Sequence, residues 1–327
     1  MKTEKTYVKY KNPTLFIARA NAQAAANEEQ PVNAPALKEL DFEVEMQPMY
    51  QLHPFLQDQV VELSPEFGSL LVRKDTGVCL SPVGAKYHPV QNNTLHDAVW
   101  EVLRTKLPVQ VLQTVTFEDR SSYEGKFCRL EYTIRAMCAT IPQTGGQHAS
   151  GQMMIIVQNY HGQTSVRVKA AIKDTTCDNI LVHGENGQTS SRHTASFDVA
   201  FLQTFVKDEI RKFAVRAQII RDWAVTAITK SQFETLLKDS NVLNGTETLN
   251  ALLEQFDVEA SVRGSTIGAA YAAMTSWSSH ANEFYVKNSN KVDNVAVTLA
   301  SREDDVTKIL DSDAFRSLSG QTASAAA

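Results

Sequence analysis

The sequence predicts an α+β protein, with an antiparallel β-sheet core, a long helix packed on it and a C-terminal helical region. Two observations carry this prediction. Apolar and polar residues alternate with period two within the block 109–172, and the apolar repeat changes to about 3.6 residues from Phe197 onward. The chain has 327 residues, 43% hydrophobic and 21% charged, which is sufficient for a sizeable core.

Composition along the chain predicts four regions. Residues 20–36 are rich in Ala, Asn and Gln and offer few side chains that could offset ordering entropy, which predicts an N-terminal arm or linker. The expected boundaries are 1–50 for this arm, 51–240 for an α+β core domain, 241–318 for helices packed on the core and 319–327 for a flexible tail.

A hairpin and a helix are the first elements expected after the arm. Apolar runs such as Leu70-Leu71-Val72 alternate with turn residues such as Asp75-Thr76-Gly77, which predicts hairpins between Val60 and Pro82. Asn92-Asn93-Thr94 then precedes an apolar repeat that Pro108 stops, which predicts a short helix.

The central block contains two alternating strands, 127–137 and 165–173, with the apolar run 153–157 between them. The inner side of the first strand carries Cys128, Leu130, Tyr132 and Ile134. Its outer side carries Arg129, Glu131, Thr133 and Arg135. The outer side of the second strand carries Arg167, Lys169, Ala171 and Lys173. We expect both outer sides to face water and to be mostly basic.

Helices dominate the rest of the chain. Residues 179–191 are poor in apolar side chains and predict an exposed loop. One long helix is expected over 197–237, with Lys207, Arg211 and Arg221 opposite its apolar face. Further helices are predicted over 247–256, 265–284 and 302–318, and 321–327 is expected to fray.

Charge and motifs exclude several classes of function. The net charge of −5 provides no global field that attracts nucleic acid, so any anion site is local. No apolar run approaches the roughly 18 residues of a membrane span, and no signal-type stretch follows Met1, which predicts a cytoplasmic protein with no membrane partner. The four cysteines are widely spaced and are expected to be reduced thiols. Phosphate-binding glycine loops are absent, so no nucleotide or other cofactor is expected.

The basic strand faces are the strongest signal of function. If the two strands share a sheet, their cations form a local positive patch that follows a phosphate backbone, with further contacts from the long helix. The expected nucleic-acid-binding residues are Arg129, Arg135, Arg167, Lys169, Lys173, Lys207 and Arg211. Tyr123, Phe127 and Tyr160 are candidates for base stacking. A solvated sheet face with no ligand stays an alternative, and so do core or rim positions for these rings.

Metal and nucleophile sites are alternatives to this interpretation. Cys177, His183 and His193 fall in one segment but lack the paired spacing of zinc ligands, and Asp174 and Asp178 fit turn chemistry better than a hard-cation site. A hydrolase would use Cys177 with His183 or His193 as base and Asp178 as the orienting group. No metal is expected, and a binding protein is favoured over an enzyme.

The order of several short motifs resembles the phage/plasmid-like protein family, a domain of unknown function. These motifs are Tyr87-His88-Pro89-Val90-Gln91-Asn92, Asn159-Tyr160-His161-Gly162, Cys177-Asp178-Asn179, Arg192-His193-Thr194 and Ser265-Thr266-Ile267-Gly268-Ala269-Ala270-Tyr271. The resemblance covers about 60–285 and implies a bacteriophage or plasmid setting. The chain departs from the family pattern at Asn-Tyr-His-Gly and Cys-Asp-Asn-Ile, where members usually have Asn followed closely by His-Asp-Gly, and Cys-Ser-Asn-Gly.

A basic sheet followed by a long helix is also similar, at the level of fold, to phage single-strand annealing proteins of the RecT and Red-beta type. That likeness implies a homo-oligomer that binds single-stranded DNA and promotes annealing or recombination without nucleotide. An alternative is a mobile-element protein that binds or inhibits a host protein through acidic surfaces, which would be Asp41, Glu43, Glu45, Glu303, Asp304 and Asp305. A metal-dependent nuclease or hydrolase built on Asp174, Cys177, Asp178 and His193 is the third hypothesis.

Overall fold

A computed structural model describes residues 32–52, 60–162, 165–175, 177–182, 187–243, 245–280 and 294–320. It is an α+β fold, as the sequence predicts. His183 and the predicted tail 321–327 lie outside the described residues, as does most of the predicted N-terminal arm.

Two small antiparallel sheets lie near the N-terminus. One has the order β1-β4-β5, formed by β1 (Val44–Pro48), β4 (Ser69–Arg73) and β5 (Cys79–Val83). The other pairs β2 (Tyr50–Leu52) with β3 (Val60–Glu62). The predicted β4–β5 hairpin is confirmed, and Gly77 adopts the positive φ of 71° that its turn requires.

The main sheet is a six-stranded antiparallel meander with the order β10-β9-β8-β7-β6, to which β11 adds by pairing with β9. Its strands are β6 (Val115–Ser122), β7 (Phe127–Pro142), β8 (His148–Tyr160), β9 (Val166–Asp174), β10 (Ile180–Val182) and β11 (Gln188–Ser191). The predicted central strands are therefore confirmed. The expectation of a loop over 179–191 is wrong at both ends of that segment, because β10 and β11 pair with β9 there.

The helices are α1 (Asn92–Lys106), α2 (Val109–Leu112), α3 (Ala200–Val225), α4 (Lys230–Asp239), α5 (Thr246–Arg263), α6 (Ile267–Ser279), α7 (Val295–Leu310) and α8 (Asp313–Leu318). The short helix before Pro108 is confirmed. No helix among them is long and apolar enough to cross a membrane.

The single helix expected over 197–237 is in fact two helices. The backbone N–H of Ile228 donates to Ser265 O at 3.0 Å and that of Ile267 donates to Thr226 O at 2.8 Å, which ties the break to the start of α6. Thr229 and Gln232 then form a reciprocal capping box that begins α4. A strong start signal inside an apolar repeat therefore divides the helix.

The main sheet lies between two layers of helices. The face that carries Cys128 and Tyr132 packs against α1, where His96 Nδ1 lies 2.8 Å from Tyr132 Oη, and α3 packs on α1 and on the same sheet. The opposite face packs against α7, where Ala296 and Ala300 form a buried apolar cluster with Phe127. Both sheet faces are therefore covered over most of their area.

Candidate functional site

The two basic strands share one sheet and one face. Strands β7 and β9 flank β8, so that Arg129 lies opposite Gln158 and Gln158 lies opposite Arg167. One pair further along, Glu131 and Lys169 align across Ile156. The cations of both strands therefore point to the same side of the sheet, as the patch hypothesis requires.

Helix α7 covers this face, and the expectation that it is open to water is wrong for Arg129 and Lys169. Their side chains are 0% and 2% exposed. Arg129 Nη2 donates to Glu303 Oε1 at 2.6 Å and Nη1 donates to Oε2 at 3.0 Å, while Lys169 Nζ donates to Asp304 Oδ1 at 2.6 Å. These two carboxylates of α7 lie where phosphates were expected.

The buried ions hold one another in their charged forms. Burial alone would lower the pKa of Arg129, but coulombic attraction from Glu303 and Glu131 outweighs it and the pKa is raised. Burial alone would raise the pKa of Glu303, but Arg129 and Lys169 lower it. The network is ionised at neutral pH and connects α7 to the sheet.

Arg167, unlike Arg129 and Lys169, keeps substantial exposure, with 34% of its side chain accessible. Its Nη1 donates to Asp304 Oδ2 at 2.7 Å, and its guanidinium lies 5.6 Å from the ring centroid of half-buried Tyr160. The Tyr160 ring in turn packs at 4.5 Å on Phe127, which is buried. Arg167 and Tyr160 thus form a cation and aromatic pair at the margin of the covered face.

The other predicted contacts are exposed but dispersed. Arg135 is exposed at the bulge between Ile134 and Cys138, and Lys173 is 30% exposed near Asp178, 3.4 Å away. On α3, Lys207 is half-buried and Arg211 is exposed 3.5 Å from Asp208. The structure therefore brings Arg129, Arg167 and Lys169 together, places Lys207 and Arg211 one turn apart on α3, and leaves Arg135 and Lys173 at separate places. Tyr123 is 49% exposed on the β6–β7 turn.

The acidic clusters do not form one partner surface. Glu303 is 1% exposed, and Asp304 faces the basic strands, so the expectation that both lie outward is wrong. Asp305 pairs with Lys308 at 3.0 Å. In the N-terminal cluster Glu43 pairs with Lys74, while Asp41 is exposed.

Cys177 lies beside a buried ion cluster centred on Arg263. Arg263 donates to Asp174 Oδ2 and to Glu259 Oε2, both at 2.7 Å, and its Nη2 lies 3.6 Å from the Cys177 sulfur. Burial raises the pKa of the Cys177 thiol to about 11, so the thiol is protonated at neutral pH.

The structure does not bring His193 to Cys177. Cys177 follows the C-terminal end of β9, whereas His193 contacts the loops at its N-terminal end, roughly 26 Å away at ~3.3 Å per residue. Among the described residues, no group of three or more His, Cys, Asp or Glu side chains could hold a metal ion.

A polar cluster that sequence patterns alone did not assign lies at that N-terminal end. His161 and His193 are 0% and 3% exposed, and their ring centroids are 6.4 Å apart. Asn159 Nδ2 donates to Asn92 Oδ1 at 2.9 Å and lies 3.4 Å from His161 Nε2. The Tyr87 ring stacks on His193 at 5.1 Å.

Four buried polar atoms of this cluster have no hydrogen-bond partner among the described residues: Asn159 Oδ1, His161 Nδ1 and both ring nitrogens of His193. Such orphans are rare in protein interiors and call for an explanation. Burial lowers the pKa of His161 to about 3 and that of His193 to about 4, so both rings are neutral at pH 7. The signal in the sequence was the motif order, since this cluster joins the segments 87–92, 159–162 and 192–194.

The sequence profile of a family described as Domain of unknown function (DUF932) matches residues 79–309. The chain belongs to this family. No curated protein and no solved structure matches the chain. The DUF932 span begins at β5 and ends within α7, so it contains the covered basic face, the Arg263 cluster and the histidine cluster alike.

Proposed function

We propose that the protein binds single-stranded DNA without nucleotide and promotes strand annealing or recombination. The observation that carries the proposal is the half-exposed pair of Arg167 and Tyr160, at the margin of a sheet face on which the register aligns basic residues. Single-strand binding proteins combine cations that follow the backbone with aromatic rings on which bases stack. This pair offers both groups within one short distance.

The proposed contacts are confined to side chains that water reaches. Arg129 and Lys169 are occupied by the carboxylates of α7 and serve to hold the sheet and the helix together. The proposed phosphate contacts are Arg135, Arg167, Lys173, Lys207 and Arg211. Arg167 contacts a phosphate by giving up its hydrogen bond to Asp304. Asp304 then keeps Lys169 as its partner.

The setting is part of the same proposal. The resemblance to phage/plasmid-like proteins supports a bacteriophage or plasmid origin and action in the host cytoplasm. Annealing requires that the strands be positioned, and it changes no covalent bond. This suits a homo-oligomer that holds a strand along several subunits. The alternative is that the protein binds a host protein instead of DNA.

The test is fluorescence anisotropy with a labelled single-stranded oligonucleotide at low salt. We expect Arg167→Ala and the pair Lys207→Ala with Arg211→Ala to weaken binding, and the salt slope to fall by ~0.7 for each phosphate that is no longer neutralised. Lys238→Ala is the matched control, since Lys238 is exposed on α4 and pairs with Glu234 on the same helix. Affinity unchanged in both test variants would remove these residues from the proposal.

A further inference from the structure

Four segments converge at one end of the main sheet, called the loop end here: 84–92, 123–126, 159–162 and 191–194. The backbone N–H of His161 donates to Lys126 O at 2.8 Å, and that of His88 donates to His193 O at 3.1 Å. The N–H of Gly162 donates to Tyr87 Oη at 3.0 Å. These hydrogen bonds fix the segments around the buried rings of His161 and His193.

The loop end carries cations without carboxylate partners. Lys86 and Arg192 are exposed and Lys126 is half-buried, and none of the three forms an ion pair with a described residue. We call these three the rim cations. Arg73 lies close enough to His161 to lower its pKa, although Asp75 occupies this guanidinium. The four segments carry the three rim cations and one carboxylate, Glu124, so the local charge is positive on a chain whose net charge is −5.

Helix α1 adds to the same potential. It begins at Asn92, within the histidine cluster, and its N-cap residue Gln91 makes no side-chain capping bond. A helix N-terminus carries a partial positive charge of roughly half an elementary charge and unpaired N–H groups, which favour anions. The N-terminus of α1 supports an anion site only together with the buried imidazole nitrogens that have no hydrogen-bond partner.

The donors and acceptors left without partners define what would fit. The neutral ring of His161 offers its Nδ1–H as a donor, the ring of His193 offers one N–H donor and one acceptor nitrogen, and Asn159 Oδ1 offers a further acceptor. A cation would find only neutral ligands at this point, with Arg73 and the rim cations nearby, whereas an anion finds donors and positive charge. The half-exposed ring of Tyr87, stacked on His193, links the buried pair to the surface.

We propose that the loop end is a binding site for a phosphate group, held by the rim cations and by N–H groups of His161 and His193. Asn159 Oδ1 can accept from the protonated oxygen of hydrogen phosphate. The inference goes beyond the single-strand proposal, because it concerns a different set of residues and a free phosphate is sufficient to test it.

The test is titration of the full chain with inorganic phosphate, followed through the ring nitrogen signals of its histidines by ¹⁵N NMR and through heat by calorimetry. We expect the signals of His161 and His193 to shift together, and Arg192→Gln to weaken phosphate binding roughly tenfold or more, the loss for one charge-assisted hydrogen bond. Lys126→Gln should act in the same direction. Lys238→Gln is the control and should change nothing.

Two further arms separate the sources of the phosphate. Stronger competition by a 5′-phosphorylated oligonucleotide than by its 5′-hydroxyl form would identify a strand end as the ligand. Competition by neither oligonucleotide, with inorganic phosphate still bound, would identify a small phosphate compound and would support the site even if the single-strand proposal fails. The inference is overturned if millimolar phosphate shifts neither histidine, if sodium chloride of equal ionic strength has the same effect, or if Arg192→Gln binds phosphate as the unmodified chain does.

Discussion

Arg129 and Glu303 stabilise the protein only as a set. Both charges are fully buried. The cost of their desolvation is offset by the bidentate contact between them, by Glu131 on the same strand as Arg129 and by Lys169 across the sheet. Removal of one partner leaves the other ionised in a low-dielectric interior. The consequence of a substitution here is therefore far larger than at a surface ion pair.

We expect Glu303→Gln to lower the free energy of unfolding by ~3 kcal/mol or more, because it leaves buried positive charge without its main partner. Urea denaturation measures this change. Asp305→Asn, two positions along α7, is the matched control and should stay within ~0.5 kcal/mol, since Asp305 pairs with exposed Lys308. Equal denaturation midpoints for both variants would contradict the role given to this network.

The buried histidines make stability depend on pH. Burial lowers the pKa of His161 to about 3, that of His193 to about 4, and also that of His96, below the unfolded value of 6.5. Their contribution is complete above pH 6.5 and declines as pH falls toward those lower values, by up to ~1.4 kcal/mol per pH unit for each ring. Unfolding measured from pH 7.5 to 5 should show this loss, and His161→Gln should flatten it. A constant midpoint over that range would show that the rings are not buried as described.

Alternation in the sequence identified the residue faces but not their surroundings. Cys128, Leu130, Tyr132 and Ile134 are in the core, as the period of two predicts. The same period cannot show that Glu303, 174 positions after Arg129, packs on the other face of the sheet. The histidine cluster was missed for the same reason, since His161 and His193 meet only through the fold.

At the scale of elements, the crossing of α3 and α6 fixes how the helical layers meet. A Cβ placed on Gly268 would lie 2.8 Å from Ala224 Cα and 3.2 Å from Ala224 N, which are backbone atoms that cannot rotate away. The two helices therefore approach more closely than any side chain at this position allows. This contact explains why position 268 is a glycine.

Gly268→Ala should lower the free energy of unfolding by roughly 1–3 kcal/mol through overpacking, and Gly268→Val should lower it further. Thermal unfolding or urea denaturation measures both variants. Gly84→Ala is the control, because a Cβ there meets nothing within 4 Å and should leave stability nearly unchanged. A stabilised Gly268→Ala variant would mean that the helices are further apart than described.

Element prediction succeeded where local signals agree and failed where pairing is distant. The helix before Pro108 follows from its apolar repeat and the proline that stops it, and the β4–β5 hairpin follows from turn residues within its own segment. The break between α3 and α4 needs the contact of Ala227 with Thr266, and β11 needs β9 as its partner. Period alone cannot reveal either contact.

At the scale of the whole molecule, both faces of the main sheet are covered by helices. In the described conformation of the protein, ligands can therefore reach the margins of the sheet, the exposed side of α3 and the loop end. They cannot reach the sheet face itself. This restricts the single-strand proposal to Arg135, Arg167, Lys173, Lys207 and Arg211. It also explains why a net negative chain would bind DNA only through local sites.

The most direct measurement is fluorescence anisotropy of a labelled single strand and of its duplex, titrated from low to high salt without nucleotide or added metal. We expect preference for the single strand and a log-log salt slope that approaches about −3.5 if all five exposed cations contact phosphates, at ~0.7 each. No binding even at low salt, or binding that salt does not weaken, would contradict the single-strand proposal.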